Sequence, residues 1–173
     1  MSTTALSSLS ALLERLAIRW VLIGAHAANR YRAAPRLTHD VDLLLAGSGG
    51  GTLLRDALEQ AGWQVRQVDA AGELLRLRHA ALGAVDVLIA GTDYQWEAIR
   101  RARVELIDGV SKVPVLTIED VILHKLIAGR FQDLADIEAI LTTRPSLDRT
   151  YLQGWLSYWS LIQEWQRIAR DQA

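Results

Sequence analysis

Two aspartates separated by one residue are the most chemically distinctive feature of this sequence. Asp40 and Asp42 flank Val41 at the start of an apolar run, and residues i and i+2 of a β-strand point to the same face of a sheet. Two carboxylates held together repel each other, and burial raises that cost unless a cation offsets it. Mg²⁺ suits this position, because it keeps coordination sites for the phosphates of a nucleoside triphosphate. The alternative is a solvated strand end.

A third acid, Asp86, interrupts another apolar run at 84–89, where a buried strand is expected to be hydrophobic throughout. If this strand lies beside that of Asp42, the third carboxylate completes a site for two metal ions. One ion would activate an attacking hydroxyl and the other would hold the triphosphate. The alternative is an ion pair between Asp86 and an arginine on a neighbouring strand, such as Arg76 or Arg78.

Gly24 marks a turn from the apolar run at 20–23 into an Ala-rich segment at 25–30 that favours a helix. Backbone N–H groups at such a turn can bind phosphate. Glycines end many strands, so Gly24 alone indicates little. Its position one helix and one loop before Asp40 makes the combination of turn and acidic strand informative.

The elements that must position these residues alternate between helical and extended patterns. Apolar spacing predicts helices at 7–18, 25–30, 53–61, 94–103 and 118–130. Strands are predicted at 20–23, 41–45, 63–68, 74–78 and 85–89, with further extended segments at 104–107 and 113–116 around an Asp108-Gly109 turn. Thr117 is predicted to cap the helix that follows it. A glycine-rich segment at 47–51 is expected to be a mobile loop.

This pattern predicts an α+β fold, with a mixed twisted sheet of about five strands flanked by helices. A single domain of 1–173 is expected, with a core at about 18–117 and a helical C-terminal part at about 118–173. From Asp133 the helical pattern continues to the end of the sequence with one break, at Pro145. The chemistry is therefore expected mainly before Leu116.

Composition narrows the class of protein without identifying a partner. The chain has 173 residues, of which 50% are hydrophobic, which is enough for one well-packed domain. It has no cysteine, which excludes disulfides and thiolate metal sites. The sequence shows no signal peptide or membrane span, so we expect a cytoplasmic protein that does not contact membranes. A net charge of -1 gives no overall attraction for nucleic acid, although arginines leave room for a local basic face.

The Gly24 turn and the Asp pair together resemble the core motif of the nucleotidyltransferase superfamily of DNA polymerase beta type. That motif is an apolar residue, Gly, then Gly or Ser, followed by Asp-x-Asp, and here it is Ile-Gly-Ala at 23–25 and Asp-Val-Asp at 40–42. The segment 36–42, Arg-Leu-Thr-His-Asp-Val-Asp, resembles the Arg-x-Thr-x-Asp-x-Asp of a small bacterial branch that includes AbiEii-type toxins. The resemblance extends over about 20–141.

The resemblance implies roles for individual residues. Asp40, Asp42 and Asp86 would hold two Mg²⁺ ions, and Lys125 would act in the active site with Asp133 or Asp136 as its partner. The residues expected at the nucleotide are Gly24, Ala25, Arg36, Thr38, Arg130, Asp133 and Asp136. The alternative for the C-terminal group is a surface ion-pair network between helices.

One departure from the family concerns the phosphate side of the site. Ala25 and His26 stand where the family usually has a second small Gly or Ser, so a hydroxyl donor to the triphosphate is missing. Backbone N–H groups remain. The departure leaves open a catalytically silent module that binds a nucleotide or a partner.

The resemblance implies transfer of a nucleoside monophosphate from a nucleoside triphosphate to a hydroxyl acceptor. The acceptor could be RNA, notably tRNA for a toxin with an antitoxin partner, a protein hydroxyl, or a small molecule such as an aminoglycoside. An RNA substrate needs a basic rim. The arginines that could supply this rim are Arg30, Arg32, Arg100, Arg101 and Arg103.

Three tryptophans, Trp155, Trp159 and Trp165, form an aromatic stripe with Leu156 and Leu161 near the C-terminus. The stripe is interpreted as core or as an oligomer contact, which would give a homodimer. The alternative is a stacking platform for a base or an RNA end.

Overall fold

The fold is taken from a computed structural model that describes residues 3–47, 52–107 and 110–170. The predicted glycine-rich loop at 47–51 lies, apart from Gly47, outside the described residues. The predicted Asp108-Gly109 turn lies outside them as well.

One mixed sheet carries the site. Its seven strands are β1 Trp20–Leu22, β2 Val41–Leu45, β3 Gln64–Gln67, β4 Leu74–His79, β5 Gly83–Ile89, β6 Arg103–Ile107 and β7 Val110–Val115. Their order is β3-β4-β5-β2-β1-β7-β6. The pairs β2–β5 and β1–β7 are parallel and the other neighbours are antiparallel. The predicted α+β class with a mixed sheet is confirmed.

The sheet has seven strands in the described part of the chain, so the expected number of about five was too low. The extended segments at 104–107 and 113–116 were recognised, but β7 pairs with β1 through a contact between Leu22 and Val115. That pairing joins residues far apart in sequence. Local alternation of apolar residues predicts an extended chain and does not say which sheet the strand joins.

Eight helices cover the sheet within the described ranges. They are α1 Thr3–Arg15, α2 Gly24–Ala28, α3 Thr52–Gln60, α4 Asp93–Arg101, α5 Ile118–Ala128, α6 Phe131–Leu141, α7 Arg149–Tyr158 and α8 Ile162–Arg170. Thr117 caps α5 as predicted, accepting a hydrogen bond from the backbone N–H of Asp120. None of the helices in the described ranges has the length and hydrophobicity needed to cross a membrane.

The C-terminal helices are more interrupted than the single predicted break at Pro145. The chain also breaks between α7 and α8, where Ser160 has a positive φ of 57°. No proline or glycine lies at this break. Leu156 on α7 and Ile168 on α8 are both buried in the hydrophobic core.

The central strand β2 is buried on both faces, which explains why its sequence is apolar rather than alternating. Val41, Leu43, Leu44 and Leu45 are all buried. Asp42 is the exception in this strand, and its position fixes where the polar site lies.

Candidate active site

Asp42 and Asp86 lie directly beside each other on neighbouring parallel strands. They are register partners in the β2–β5 pairing, so both side chains are on the same face of the sheet. The expectation that the strand of Asp86 lies alongside that of Asp42 is confirmed. On the other side of Asp86, Arg76 of β4 is its antiparallel register partner.

The Asp pair is arranged so that one carboxylate is exposed and the other is half-buried. Asp40 is exposed immediately before β2, and Asp42 is the second residue of the strand. Burial, then the charges of Asp86 and Asp40, raise the pKa of Asp42. The folded chain therefore disfavours the charge on Asp42, and a cation bound between Asp40 and Asp42 would relieve that cost.

Gly24 holds the backbone of the β1–α2 turn against the carboxylate of Asp42. Its φ is +65°, and a Cβ at this position would lie 2.1 Å from Oδ2 of Asp42. The Ile23 N–H also donates a hydrogen bond to the backbone oxygen of Asp42. The turn therefore requires glycine both for its conformation and for the close approach. Ala25 follows it and is buried.

Asp86 is paired with Arg76. Nε of Arg76 donates to Oδ1 of Asp86 and a terminal guanidinium nitrogen donates to Oδ2, each at 2.8 Å. This is the alternative that the sequence left open for Asp86. It does not remove Asp86 from the site, because both side chains line the same cleft as Asp42.

Lys125 lies in a buried ion-pair network rather than on the surface. Its Nζ donates to Asp133 at 3.0 Å and to Asp136 at 2.6 Å. Lys125 is only 4% exposed. Arg130 adds a second cation to Asp133, with 2.6 Å between Nε and Oδ2. The predicted partnership of Lys125 with these aspartates is present, and both carboxylates take part.

Asp136 anchors two further cations from the segment before β2. Nε of Arg36 donates to its Oδ1 at 2.9 Å, and Arg32 donates to the same oxygen. Burial tends to raise the pKa of Asp136, but hydrogen bonds from Arg36 and Lys125 outweigh it and leave the pKa below its usual range. The same balance, with Arg130 and Lys125, lowers the pKa of Asp133. Both carboxylates are therefore ionised near neutral pH.

The network carries more positive than negative charge. Four cations surround two carboxylates, which leaves a surplus of two positive charges beside the acidic strand. The cations are Arg32, Arg36, Lys125 and Arg130. A surplus of this kind favours an anion with several charges, such as a polyphosphate.

The acidic strand and the cationic network face one cleft of about 710 Å³. Of the predicted site residues, it is lined by Gly24, Ala25, Arg36, Thr38, Asp40, Asp42, Asp86, Lys125, Arg130 and Asp133. Asp136 lies beneath the lining and is 1% exposed. The structure therefore brings all the predicted positions together, with Asp136 in a supporting place.

Sequence reasoning missed three polar or aromatic residues that also line the cleft: His124, Phe131 and Gln132. Phe131 is 90% exposed. Burial and the charge of Lys125 lower the pKa of His124 to about 4, so this imidazole is neutral at physiological pH. A lone aromatic residue at a helix start gives no periodic signal, and only the fold shows that it borders the cleft.

The expected metal site has three carboxylates, and Asp40 and Asp42 fit this role better than Asp86 does. Asp40 and Asp42 supply carboxylate oxygens of the kind that Mg²⁺ prefers. Among the described residues, however, no three acids or histidines are placed to share a metal ion. The oxygens of Asp86 accept hydrogen bonds from Arg76 instead.

The arginines considered for a basic rim are mostly engaged within the protein. Arg30 pairs with Glu105, and Arg100 pairs with Glu97. Arg101 contacts Glu119 and lies over the ring of Tyr151. The predicted rim is therefore largely neutralised by neighbouring acids.

Two of the three C-terminal tryptophans pack in an aromatic cluster. The ring centroids of Trp155 and Trp159 lie 5.1 Å and 6.5 Å from that of Tyr94. Trp165 is also partly buried against the core. This packing favours the interpretation of the stripe as core.

Comparison with known proteins agrees with this geometry. Residues 7–160 match the family described as "Nucleotidyl transferase AbiEii toxin, Type IV TA system". The chain belongs to this AbiEii family of nucleotidyltransferases. The match spans both the acidic strand and the Lys125 network. The resemblance seen in the sequence is thereby confirmed. No curated protein matches the sequence.

Solved structures show where the AbiEii-family fold recurs. A lincosamide antibiotic adenylyltransferase bound to lincomycin has a TM-score of 0.57 at 16% identity, with 80% of this chain and 95% of that chain covered. The antibiotic-resistance factor ANT(2'')-Ia has a TM-score of 0.60 at 16% identity, with coverages of 95% and 96%. An antigenic nucleotidyltransferase-like protein from Paracoccidioides brasiliensis has a TM-score of 0.52 at 18% identity, with coverages of 96% and 89%. At these identities the likeness is one of fold.

Proposed function

We propose that this AbiEii-family protein transfers a nucleoside monophosphate from a nucleoside triphosphate to a hydroxyl acceptor, with Mg²⁺ bound at Asp40 and Asp42. The supporting observation is the cleft itself, with a carboxylate pair on one side and a surplus of positive charge on the other. Mg²⁺ would polarise the phosphate oxygens and stabilise the charge that develops on them.

The residues of the cleft have different roles in the proposed reaction. The acceptor oxygen forms a bond to the α-phosphorus, the bond from that phosphorus to the bridging oxygen breaks, and pyrophosphate leaves. Arg36, Arg130 and Lys125 bind the triphosphate and compensate the charge on the leaving group. The proton of the acceptor hydroxyl goes to Asp86, the cross-strand neighbour of Asp42, once one of its oxygens is released from Arg76.

Ala25 places a limit on how the phosphates are held. Without a hydroxyl at this position, the turn offers backbone N–H groups only, so the side chains of the cationic network carry most of the phosphate binding. Thr38, which lines the cleft two residues before Asp40, is the hydroxyl that remains available.

For the acceptor we propose the end of an RNA, with tRNA as the class to test first, in a toxin that is controlled by an antitoxin. The toxin description of the family supports this. So does the cleft mouth, where exposed Phe131 follows Arg130, whose side chain is 76% exposed. An aromatic ring beside a cation suits a single-stranded nucleic acid end, because it combines stacking with phosphate attraction.

The test is a transfer assay with Mg²⁺, each labelled nucleoside triphosphate and total tRNA. The wild type is expected to label RNA and release pyrophosphate, and Asp42→Asn is expected to reduce the rate at least about 1,000-fold because the metal site loses a ligand. Asp56→Asn is the matched control, since Asp56 is an exposed acid on α3. Undiminished transfer by Asp42→Asn would contradict the proposal.

Two further outcomes of the assay distinguish the proposed function from its alternatives. One solved neighbour is bound to lincomycin and another is in complex with adenylyl-2''-tobramycin. Labelling of lincomycin or tobramycin in place of RNA would replace the acceptor proposed here. Tight binding of a triphosphate without release of pyrophosphate would indicate the catalytically silent module.

A further inference from the structure

Three side chains form a row across the sheet in the cleft. Arg76, Asp86 and Asp42 are consecutive register partners on β4, β5 and β2. Residues directly opposite on neighbouring strands share a face and lie close together. Asp86 therefore has a cation on one side and, on the other, the carboxylate that would hold a metal ion.

The arginine occupies the oxygens that a metal ion would use. Both carboxylate oxygens of Asp86 accept a hydrogen bond from the guanidinium of Arg76, at 2.8 Å each. This two-pronged geometry is the strongest that arginine offers to a carboxylate. Among the described residues, no three acids or histidines are placed to share a metal ion, and both oxygens of Asp86 are engaged by this arginine.

The ion pair of Arg76 and Asp86 is partly exposed to solvent, so that another cation can replace Arg76 as the partner of Asp86. The side chain of Arg76 is 41% exposed and that of Asp86 is 27% exposed. Because water reaches both side chains, it can solvate the guanidinium and the carboxylate when they separate, which lowers the cost of exchanging one partner for another. A divalent cation that binds carboxylates directly can therefore displace the guanidinium, which remains in the cleft and fits the oxygens of a phosphate equally well.

We propose that Arg76 and a divalent cation compete for Asp86. Arg76 is then a positioning residue, which keeps the third carboxylate off the metal site in the state shown by this structure. When the guanidinium moves away, Asp86 joins Asp40 and Asp42. This inference rests on the proposed function, because Asp40 and Asp42 must bind the metal ion in the first place.

The experiment measures Mn²⁺ binding to the protein without nucleotide, from the loss of the free Mn²⁺ signal in electron paramagnetic resonance. Arg76→Gln is expected to bind Mn²⁺ about tenfold more tightly than the wild type, a typical effect of changing the partner of a metal ligand. Arg76→Lys keeps the charge but not the two-pronged contact, so its affinity is expected to fall between the two.

A double-variant comparison separates competition from a general effect of charge. The gain from Arg76→Gln is expected to disappear in an Asp86→Asn background, where no carboxylate remains to be released. Arg78→Gln is the matched control, because Arg78 is an exposed arginine two residues along the same strand. A gain that persists in Asp86→Asn, or an equal gain in Arg78→Gln, would overturn the proposal.

The remaining outcomes distinguish this inference from the proposed function. Mn²⁺ binding that depends on Asp42 but is unchanged in Arg76→Gln overturns the competition alone. If neither the wild type nor Arg76→Gln binds Mn²⁺ in an Asp42-dependent way, both the metal role and the competition are wrong. Far-UV circular dichroism of each variant checks folding, and Arg76→Lys decides the outcome if Arg76→Gln does not fold.

Discussion

The negative charge of Asp42 destabilises the folded protein, although the proposed metal site requires that charge. Its pKa is raised by burial and by the charges of Asp86 and Asp40. A raised pKa in the folded state means that stability is present below the ordinary pKa of an aspartate and is lost as the pH rises through the folded value. Near neutral pH, the carboxylate therefore costs the folded state free energy.

Asp42→Asn is accordingly expected to stabilise the metal-free protein at pH 7, by about 0.5–2 kcal/mol, the range common for single stabilising substitutions. The gain should shrink as the pH falls through the raised pKa of folded Asp42 and vanish by about pH 3, where Asp42 is protonated in the unfolded chain as well. Urea unfolding in EDTA across this pH range measures it. Mg²⁺ should stabilise the wild type but not the variant, and a variant less stable than wild type at pH 7 would contradict the prediction.

Substitution of one residue, Phe131, tests whether the acceptor RNA binds at the mouth of the cleft. Because this ring is 90% exposed, Phe131→Ala should leave the melting temperature nearly unchanged. Loss of one stacked base should weaken RNA binding by about 1–3 kcal/mol. Leu37→Ala is the control, since Leu37 is also exposed and apolar but does not line the cleft. Equal RNA affinities for the wild type and Phe131→Ala, measured by fluorescence anisotropy, would remove Phe131 from the acceptor site.

The sequence predicts those parts of the site that depend on residues close together in the chain, and it does not predict contacts between distant segments. The Asp pair needed only the two-residue period of a strand, which is a local property. The sequence offers the pairing of Asp86 with Arg76 only as one of two alternatives, because no local feature decides which strands become neighbours. The attachment of Arg32 to Asp136 joins distant segments and was not foreseen.

At the scale of elements, a buried polar network fastens α7 to α5. Asp120 on α5 is fully buried and accepts hydrogen bonds from Tyr151 at 2.6 Å and from Thr117 at 2.7 Å. Burial and the charge of Asp120 raise the pKa of Tyr151, so its hydroxyl keeps its proton and donates at all ordinary pH values. Neither Tyr151 nor Asp120 lines the cleft.

Tyr151→Phe is therefore expected to lower the free energy of unfolding by about 1–3 kcal/mol, because it leaves a buried carboxylate short of one hydrogen bond. The ring remains, so its contact with Arg101 is kept. Transfer activity per folded molecule should stay within about twofold of the wild type. The control is Tyr158→Phe on the same helix, whose side chain is exposed. A loss of activity without a loss of stability would show that this network reaches the cleft.

The elements themselves were predicted where their signals are local and missed where packing decides. The Thr117 cap and the start of α5 follow from side-chain chemistry next to the helix. The break between α7 and α8 has no such marker, since it falls at Ser160, a non-glycine residue with a positive φ. The sequence predicts β6 and β7 as extended chain, but the place of β7 beside β1 depends on a long-range contact.

For the whole molecule, the distribution of charge matters more than its sum. The formal net charge is -1, and the cations of the network beside Asp42 outnumber its carboxylates by two. Two arginines outside this network, Arg30 and Arg100, are paired with glutamates. An RNA should therefore be attracted by the cleft and not by the surface as a whole.

This distribution predicts a shallow dependence of RNA binding on salt. Two to three phosphate contacts in the cleft give a slope of log K against log salt of about -1.4 to -2.1, at roughly 0.7 per contact for single strands. Arg130→Gln should make the slope shallower by about 0.7, since its guanidinium lies at the cleft and is mostly exposed. Arg167→Gln, an exposed arginine on α8, should leave the slope unchanged. If both substitutions reduced the slope equally, the RNA would be bound by dispersed surface charge, and the cleft would not be what selects it.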